Sequence, residues 1–364
     1  MSKVLLMDAR DNLSEVIDNV FREFSVDLHG KKVLVKPNLV AAVPPGCCTS
    51  PEVVEAIVLG ALAQGAEVIV GDGISEIIEN SANTARIAGI FDACHGCFRK
   101  IGAELKEVPA NSAFAETFLI PRAILECDYL INVPKFKTHT FMTITGAIKN
   151  VLGYIPGGCK MGLHLKAPSR RRFSEILCDI HRILPPDLHI IDGITAMEGN
   201  GPTRGELRPL GKILASTDPL ALDSVMARMM GLDPSEVVLL VTASERGLGV
   251  MDMSQIEVIG DAPVLPNFRM GVRSSIPPEE AVHAVETISS TAPDLLEEKC
   301  NLCGECVRLC PRNIISINGG LEMQRDNCNA CYACVEGCPE EALEVPAMVN
   351  ELFGRMNTFE PSGS

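Results

Sequence analysis

The sequence predicts an α/β protein, a mainly parallel sheet with helices on both faces, followed by a small cysteine-rich C-terminal domain. Two observations carry that prediction. Short β-branched runs alternate with longer helical patterns through residues 1–293, and eight of the fifteen cysteines fall in two evenly spaced runs after residue 299. Length agrees, since 364 residues suffice for about two domains with a core of ordinary size. With 46% hydrophobic and 22% charged residues, neither disorder nor a fibrous repeat describes the chain.

Strands are expected at 4–7, 33–35, 68–70, 105–108, 129–133, 189–191, 212–215 and 256–259, where β-branched and aliphatic residues cluster. Helices are expected at 51–64, 83–101, 143–152, 172–184, 219–230 and 235–246. Several open behind a capping residue, as Asp218 does before Pro219. The boundaries drawn are 1–293 for the α/β domain, 294–346 for the cysteine-rich domain and 347–364 for a frayed tail, with a linker at 289–298. The most apolar stretch, 51–70, carries Glu55, Gln64 and Glu67 and is broken by Gly60 and Gly65, so it does not read as a membrane span. The N-terminal apolar run is too short for a signal-peptide core, which places the protein in the cytoplasm.

Cysteine positions define the chemistry of the small domain. Cys300, Cys303, Cys306 and Cys310, followed by Pro311, repeat as Cys328, Cys331, Cys334 and Cys338, followed by Pro339. Three thiolates two residues apart wrap one cubane, and the fourth, displaced by a proline turn, reaches the other. Cys300, Cys303, Cys306 and Cys338 are therefore assigned to one 4Fe-4S cluster, and Cys328, Cys331, Cys334 and Cys310 to a second. A zinc site, the other reading, calls for cysteines in pairs rather than runs of four. Residues 314–317 and 321–323, joined by Asn318-Gly319-Gly320, read as a hairpin. This region resembles the bacterial two-cluster ferredoxins over some fifty residues, which implies electron transfer. Its acidic balance suits a basic redox partner protein.

Charge singles out a second region. The net charge is −15, which disfavours nucleic acid as a partner, yet residues 129–174 contain no Asp or Glu. Lys135, Lys137, Lys149, Lys160, Lys166, Arg170, Arg171 and Arg172 all lie there. Such focusing suits either an anionic small-molecule ligand or a docking surface for the acidic domain. Gly146, Gly153, Gly157 and Gly158 would let the backbone approach such an anion.

In an open α/β sheet, ligands lie beyond the carboxyl ends of the strands. Directly after predicted strands come Lys36 and Asn38, Asp72, Lys135 through His139, and Asp192. Candidate ligand-binding residues are thus Lys36, Asn38, Asp72, Lys135, Lys149, Asn150 and Asp192. His139, Lys137 and His164 are candidate catalytic residues, because imidazole exchanges protons near neutral pH and lysine stabilises developing negative charge. A mononuclear metal held by the two histidines with Asp192 or Glu198 is the alternative for the imidazoles. Cys47 and Cys48 precede a helix start that would lower a thiol pKa, whereas Cys94 and Cys97 lie within a predicted helix. No phosphate-binding glycine loop with Lys-Ser/Thr and no clean G-x-G-x-x-G exists, which disfavours nucleotide chemistry.

Several segments together resemble one family. They are Lys36-Pro37-Asn38-Leu39, Gly71-Asp72-Gly73, Asn132 through His139, Thr145 through Asn150, Asp192-Gly193, Glu198 through Pro202 and Asp218 through Asp223. The chain is similar to the domain-of-unknown-function family 362, which is often fused to a ferredoxin module. That resemblance implies an iron-sulfur protein with its domains in this order. Cys47-Cys48 departs from the small or hydroxyl residues that the family pattern carries there.

The expected function is an iron-sulfur protein whose ferredoxin module passes electrons to an α/β domain that binds and reduces an anionic small molecule. An electron carrier or adaptor subunit without chemistry of its own is the alternative. A third reading makes Cys47 or Cys48 the carrier thiol of a sulfur-donating transferase.

Overall fold

The computed structural model describes residues 1–10, 12–40, 46–73, 81–167, 169–271 and 278–358, the side chains of 278–281 and 353–358 excepted. Its strands are β1 (Ser2–Asp8), β2 (Lys32–Pro37), β3 (Glu67–Val70), β4 (Leu105–Pro109), β5 (Thr117–Pro121), β6 (Tyr129–Val133), β7 (Lys135–His139), β8 (Thr143–Thr145), β9 (Leu188–Asn200), β10 (Arg204–Ser216) and β11 (Ile256–Ile259). Four short ones follow: β12 (Asp294–Leu295), β13 (Ile315–Ile317), β14 (Leu321–Met323) and β15 (Leu343–Glu344). The helices are α1 (Leu13–Glu23), α2 (Pro51–Ala63), α3 (Ser81–Ile87), α4 (Ile90–Ala93), α5 (Arg122–Leu125), α6 (Ala147–Asn150) and α7 (Gly157–Lys166). They continue with α8 (Arg170–Ile183), α9 (Pro219–Met229), α10 (Val238–Glu245), α11 (Pro278–Ser290), α12 (Glu305–Leu309), α13 (Ala333–Glu336) and α14 (Ala347–Thr358).

The main sheet runs β11-β1-β10-β9-β6-β2-β3, and β7 adds to β9 and carries β8. Neighbours β3, β2, β6 and β9 are parallel, as are β7 with β9 and β1 with β11, whereas β10 is antiparallel to both β1 and β9. Side chains alternate across each strand, so Val33 and Val35 enter one core with α1 and α2, while Leu34 enters the other with α8, α9 and α10. Helices therefore cover both faces, as expected for a largely parallel sheet. Register sets Lys36 beside Asn132, Asn132 beside His189, and Lys135 beside Asp192. The polar strand ends are thereby gathered along one edge.

The departures have local causes. The helix expected at 83–101 stops at Ile87 and resumes only briefly, because Gly89 takes φ 74° and His95 φ 48°. The helix expected at 143–152 begins later: Thr143–Thr145 pairs with β7, and α6 starts at Ala147, where the Asp223 carboxylate accepts the N–H groups of Ala147 (2.6 Å) and Ile148 (3.0 Å). The proposed linker at 289–298 contains the end of α11 and β12, which pairs with β15. The tail is helical to Thr358, with Val349 buried beside Ile288 and Val285; Pro361-Ser362-Gly363-Ser364 lies outside the described residues. Among the described residues no helix is long and apolar enough to cross a membrane.

Candidate functional site

The repeat sorts its cysteines into two separate cavities. Cys300, Cys303, Cys306 and Cys338 line one, and Cys310, Cys328, Cys331 and Cys334 line the other, which is the partition the spacing predicts. Equivalent turns shape the two loops, with Leu302 at φ 58° and Ala330 at φ 50°. The third cysteine of each run, Cys306 or Cys334, sits in a short helix, α12 or α13. Leu295, Leu321 and Leu343 wall the first cavity, and Ile314, Ile315 and Met323 the second. The Ala330 and Ala342 N–H groups donate to the sulfurs of Cys328 (3.4 Å) and Cys338 (3.3 Å). Four thiols, an apolar wall and N–H donors to sulfur fit an iron-sulfur cluster.

The candidate lysines divide into two kinds. Lys36 is fully buried and ion-paired to Asp72 at 2.8 Å, while the other Asp72 oxygen accepts the Leu39 N–H at 2.9 Å. Gly153 permits this, since a Cβ there would fall 2.1 Å from Asp72 Oδ1 and 2.6 Å from Lys36 Nζ. Lys135 pairs with Asp192 at 2.7 Å and donates to Ser50 Oγ at 2.9 Å, and Asp192 also accepts the Ser50 N–H that opens α2. Both pairs are internal, each ammonium facing a carboxylate within the fold.

Lys137 and Lys149 differ. Lys137 is fully buried and donates to the carbonyl of Cys47 at 2.6 Å, and among the described residues it has no carboxylate partner. Burial pushes its ammonium down to about 8. Lys149, half-buried, likewise has no carboxylate partner among the described residues, and burial followed by repulsion from Lys137, Lys160 and Lys36 pushes it down to about 7. Lys160 closes the group from α7, donating to the Gly73 carbonyl at 2.6 Å.

The imidazoles beside them are neutral. His139 Nδ1 accepts the N–H groups of Phe141 (3.1 Å) and Met142 (3.2 Å), which puts its proton on Nε2. Burial, then Lys149 and Lys137, hold its pKa well below the usual histidine value. His164 stacks on Phe173 with ring centroids 4.3 Å apart and is pushed down to about 4 by burial and Lys149. Asp192 is taken by Lys135, and Glu198 by Arg208 (3.0 Å) and Arg269 (2.9 Å), so neither joins the histidines as a metal set.

Asn38 and Asn150 belong to an amide chain. Asn38 Nδ2 donates to Asn150 Oδ1 (2.7 Å), Asn150 Nδ2 to Asn132 Oδ1 (2.8 Å), and Asn132 Nδ2 meets His189 Nδ1 (3.0 Å). It ties β2, α6, β6 and β9 together beneath the lysines. Asn132 and His189 have no separate sequence signal, because an amide in a strand reads as one more polar position.

Helix α7 links this region to the second cysteine cavity. At its start the Gly158 N–H donates to the Ala330 carbonyl (2.8 Å) and the Cys159 thiol to the Asn329 carbonyl (3.3 Å); one turn on it carries Lys160, then His164. A Cβ at Gly157 would fall 2.7 Å from the Cys331 carbonyl. The glycines expected to admit an anion therefore admit protein groups: Gly157 and Gly158 the cysteine loop, Gly153 the Lys36–Asp72 pair, and Gly146 the Asp223 carboxylate.

The remaining thiols are quiet. Cys47 and Cys48 are buried, and the hydrogen bond between them together with burial raises Cys47, opposite to the effect expected from the helix start. Cys94 donates to the Ile90 carbonyl (2.8 Å) and is pushed up to about 12 by burial.

The profile of the family described as "Domain of unknown function (DUF362)" matches residues 33–228, and that of a 4Fe-4S dicluster domain matches 297–344. A thylakoid-associated protein of Synechocystis is 33% identical over 224 residues, which are 60% of this chain and 69% of that protein. A crystal structure of a Thermotoga maritima protein aligns at TM-score 0.38 with 13% identity, over 58% of this chain and 55% of that one.

Proposed function

Because the chain belongs to the domain-of-unknown-function family 362 and carries a C-terminal 4Fe-4S dicluster domain, we propose that it binds two clusters and directs their electrons to an anionic small molecule in the α/β domain. Held in the two four-cysteine cavities, the clusters supply electrons one at a time. The observation that supports this reading is a pair of lysines, Lys137 and Lys149, with no carboxylate partner among the described residues, joined to one cysteine cavity by α7.

The residues divide the work. Lys137 and Lys149 hold the anion and offset charge that grows on it. Lys149, with a pKa near 7, is able to yield a proton at neutral pH. His139, held neutral, offers its Nε2–H as a fixed hydrogen-bond donor rather than as an acid. The Lys36–Asp72 and Lys135–Asp192 pairs and the Asn38–Asn150 link keep the strand ends in place.

Calorimetry against a panel of small carboxylates and phosphates tests the reading. At least one member should bind the full chain and lose affinity in Lys137→Met/Lys149→Met; a panel that binds both proteins alike sinks it.

The carrier or adaptor reading has one observation in its favour: the acid-free span does dock the cysteine domain, through Gly158 and Cys159. Those contacts are backbone and thiol. We place the protein in the cytoplasm, with a protein redox partner rather than nucleic acid, as its acidic charge favours. The thylakoid association of its relative suggests that this partner can be membrane-bound.

A further inference from the structure

The internal repeat places Leu302 and Ala330 at equivalent positions, Cys-Asn-Leu-Cys and Cys-Asn-Ala-Cys, with nearly the same left-handed backbone. Their surroundings are opposite. Ala330 is fully buried: its carbonyl receives the Gly158 N–H, and its Cβ lies 2.8 Å from where a Gly158 Cβ would stand. Only a small residue fits there, because the α/β domain is already docked on that loop. Leu302 is 42% exposed, and Cys303 beside it is the exposed one of the fifteen cysteines. Leu302 lines the mouth of the first cysteine cavity yet leaves much of its surface in solvent, so a large apolar side chain on a tight turn forfeits burial that its equivalent achieves.

We propose that the 300–304 loop is the docking face for a separate redox protein, so that electrons enter at the cavity of Cys300, Cys303, Cys306 and Cys338 and leave through that of Cys310, Cys328, Cys331 and Cys334. This rests on the two-cluster reading above. Exposed Glu297, Glu298, Glu340 and Glu341 flank the loop against the single base Lys299, and Glu340 accepts a hydrogen bond from Asn301 at 3.0 Å. The partner is therefore a protein with a basic face around an apolar contact, with Leu302 as the central anchor and the glutamates as the steering rim. The step is the passage of one electron from the partner's redox group, which is oxidised, to a cluster held at that cavity, which is reduced, with no bond made or broken. The two loops thus have divided roles: one is covered by this chain's own α7, and the other presents the same turn to a second protein.

Mitochondrial cytochrome c, a basic one-electron protein, is the probe. The cluster-loaded full chain is titrated with it at low ionic strength, and hydrogen exchange maps the contact. Protection is expected at residues 297–304 and 338–342. Glu298→Lys/Glu340→Lys/Glu341→Lys should raise Kd roughly tenfold at low salt and little at high salt, whereas Leu302→Ser should raise it severalfold at both. Cluster absorbance and iron content on the same samples report whether the loops remain intact. Failure to bind, protection confined to the α/β domain or to residues 320–332, or unchanged Kd in both variants overturns the assignment. Because Kd and footprint are read without any substrate, these failures are distinct from failure of the reduction proposed above, and iron content separately tests the two-cluster reading.

Discussion

Lys135 and Lys137 stand two residues apart on one strand, both fully buried, yet they occupy different electrostatic situations. Lys135 meets Asp192 and Ser50 and is neutralised within the fold. Lys137 meets a backbone carbonyl and, among the described residues, pairs with no carboxylate, so burial outweighs what its surroundings return. The first arrangement holds strands together, and the second costs stability unless an anion arrives. A cation's partner rather than its burial therefore separates a structural lysine from a candidate binding lysine.

The largest effect should come from breaking the satisfied pair. Asp192→Ala leaves Lys135 buried without a carboxylate and unties the start of α2, so unfolding by denaturant should show a loss of about 3–5 kcal/mol. A loss below about 1 kcal/mol would mean that water or a neighbour replaces the carboxylate. Lys137→Met should behave in the opposite way, leaving stability unchanged or higher while the affinity for a bound anion falls ten- to a hundredfold, roughly the worth of one charged hydrogen bond. If this variant destabilises the fold as Asp192→Ala does, the distinction between the two lysines fails.

Titration sharpens the same contrast. Burial lowers Lys137 from the ordinary lysine value of 10.5 to about 8, so the unfolded chain binds more protons between those values. Stability should therefore rise with pH across that window, by on the order of 1 kcal/mol per unit, and Lys137→Met should remove the rise. Anion affinity should run the other way. It should be full below pH 7, where Lys149 is charged, and fall up to about tenfold per unit above it, with Lys137 adding to the fall beyond about pH 8. A flat affinity between pH 6 and 8 would remove Lys149 from the site.

Much of the cysteine domain was legible because ligand spacing is a local property: loop, helix and proline turn all lie within one run of the chain. The parallel strands were legible for a similar reason, since runs such as 33–35 and 129–133 declare themselves by β-branched residues. Strand β7 was not, because Lys135, Lys137 and His139 alternate with Phe136 and Thr138 and read as a polar loop. Its lysines become core residues only when Asp192 and the Cys47 carbonyl are brought to them by other elements. For the same reason the acid-free span looked like one pool of positive charge. Lys135 finds Asp192, which lies outside that span, as Lys36 elsewhere finds Asp72, and no pattern in the chain foretells those pairings. Asp223 caps α6 from a distant helix, and burial pushes it up to about 7 despite two backbone donors.

An anion at Lys137 and Lys149 and two clusters in the cysteine cavities are the two halves of the proposed function. Native mass spectrometry of protein purified without oxygen reads both in one spectrum. The predicted result is the mass of two 4Fe-4S clusters plus a retained or titratable small anion, with the anion alone lost in Lys137→Met/Lys149→Met. Two clusters with no anion, retained or added, in the unsubstituted chain would contradict the account and leave an electron carrier.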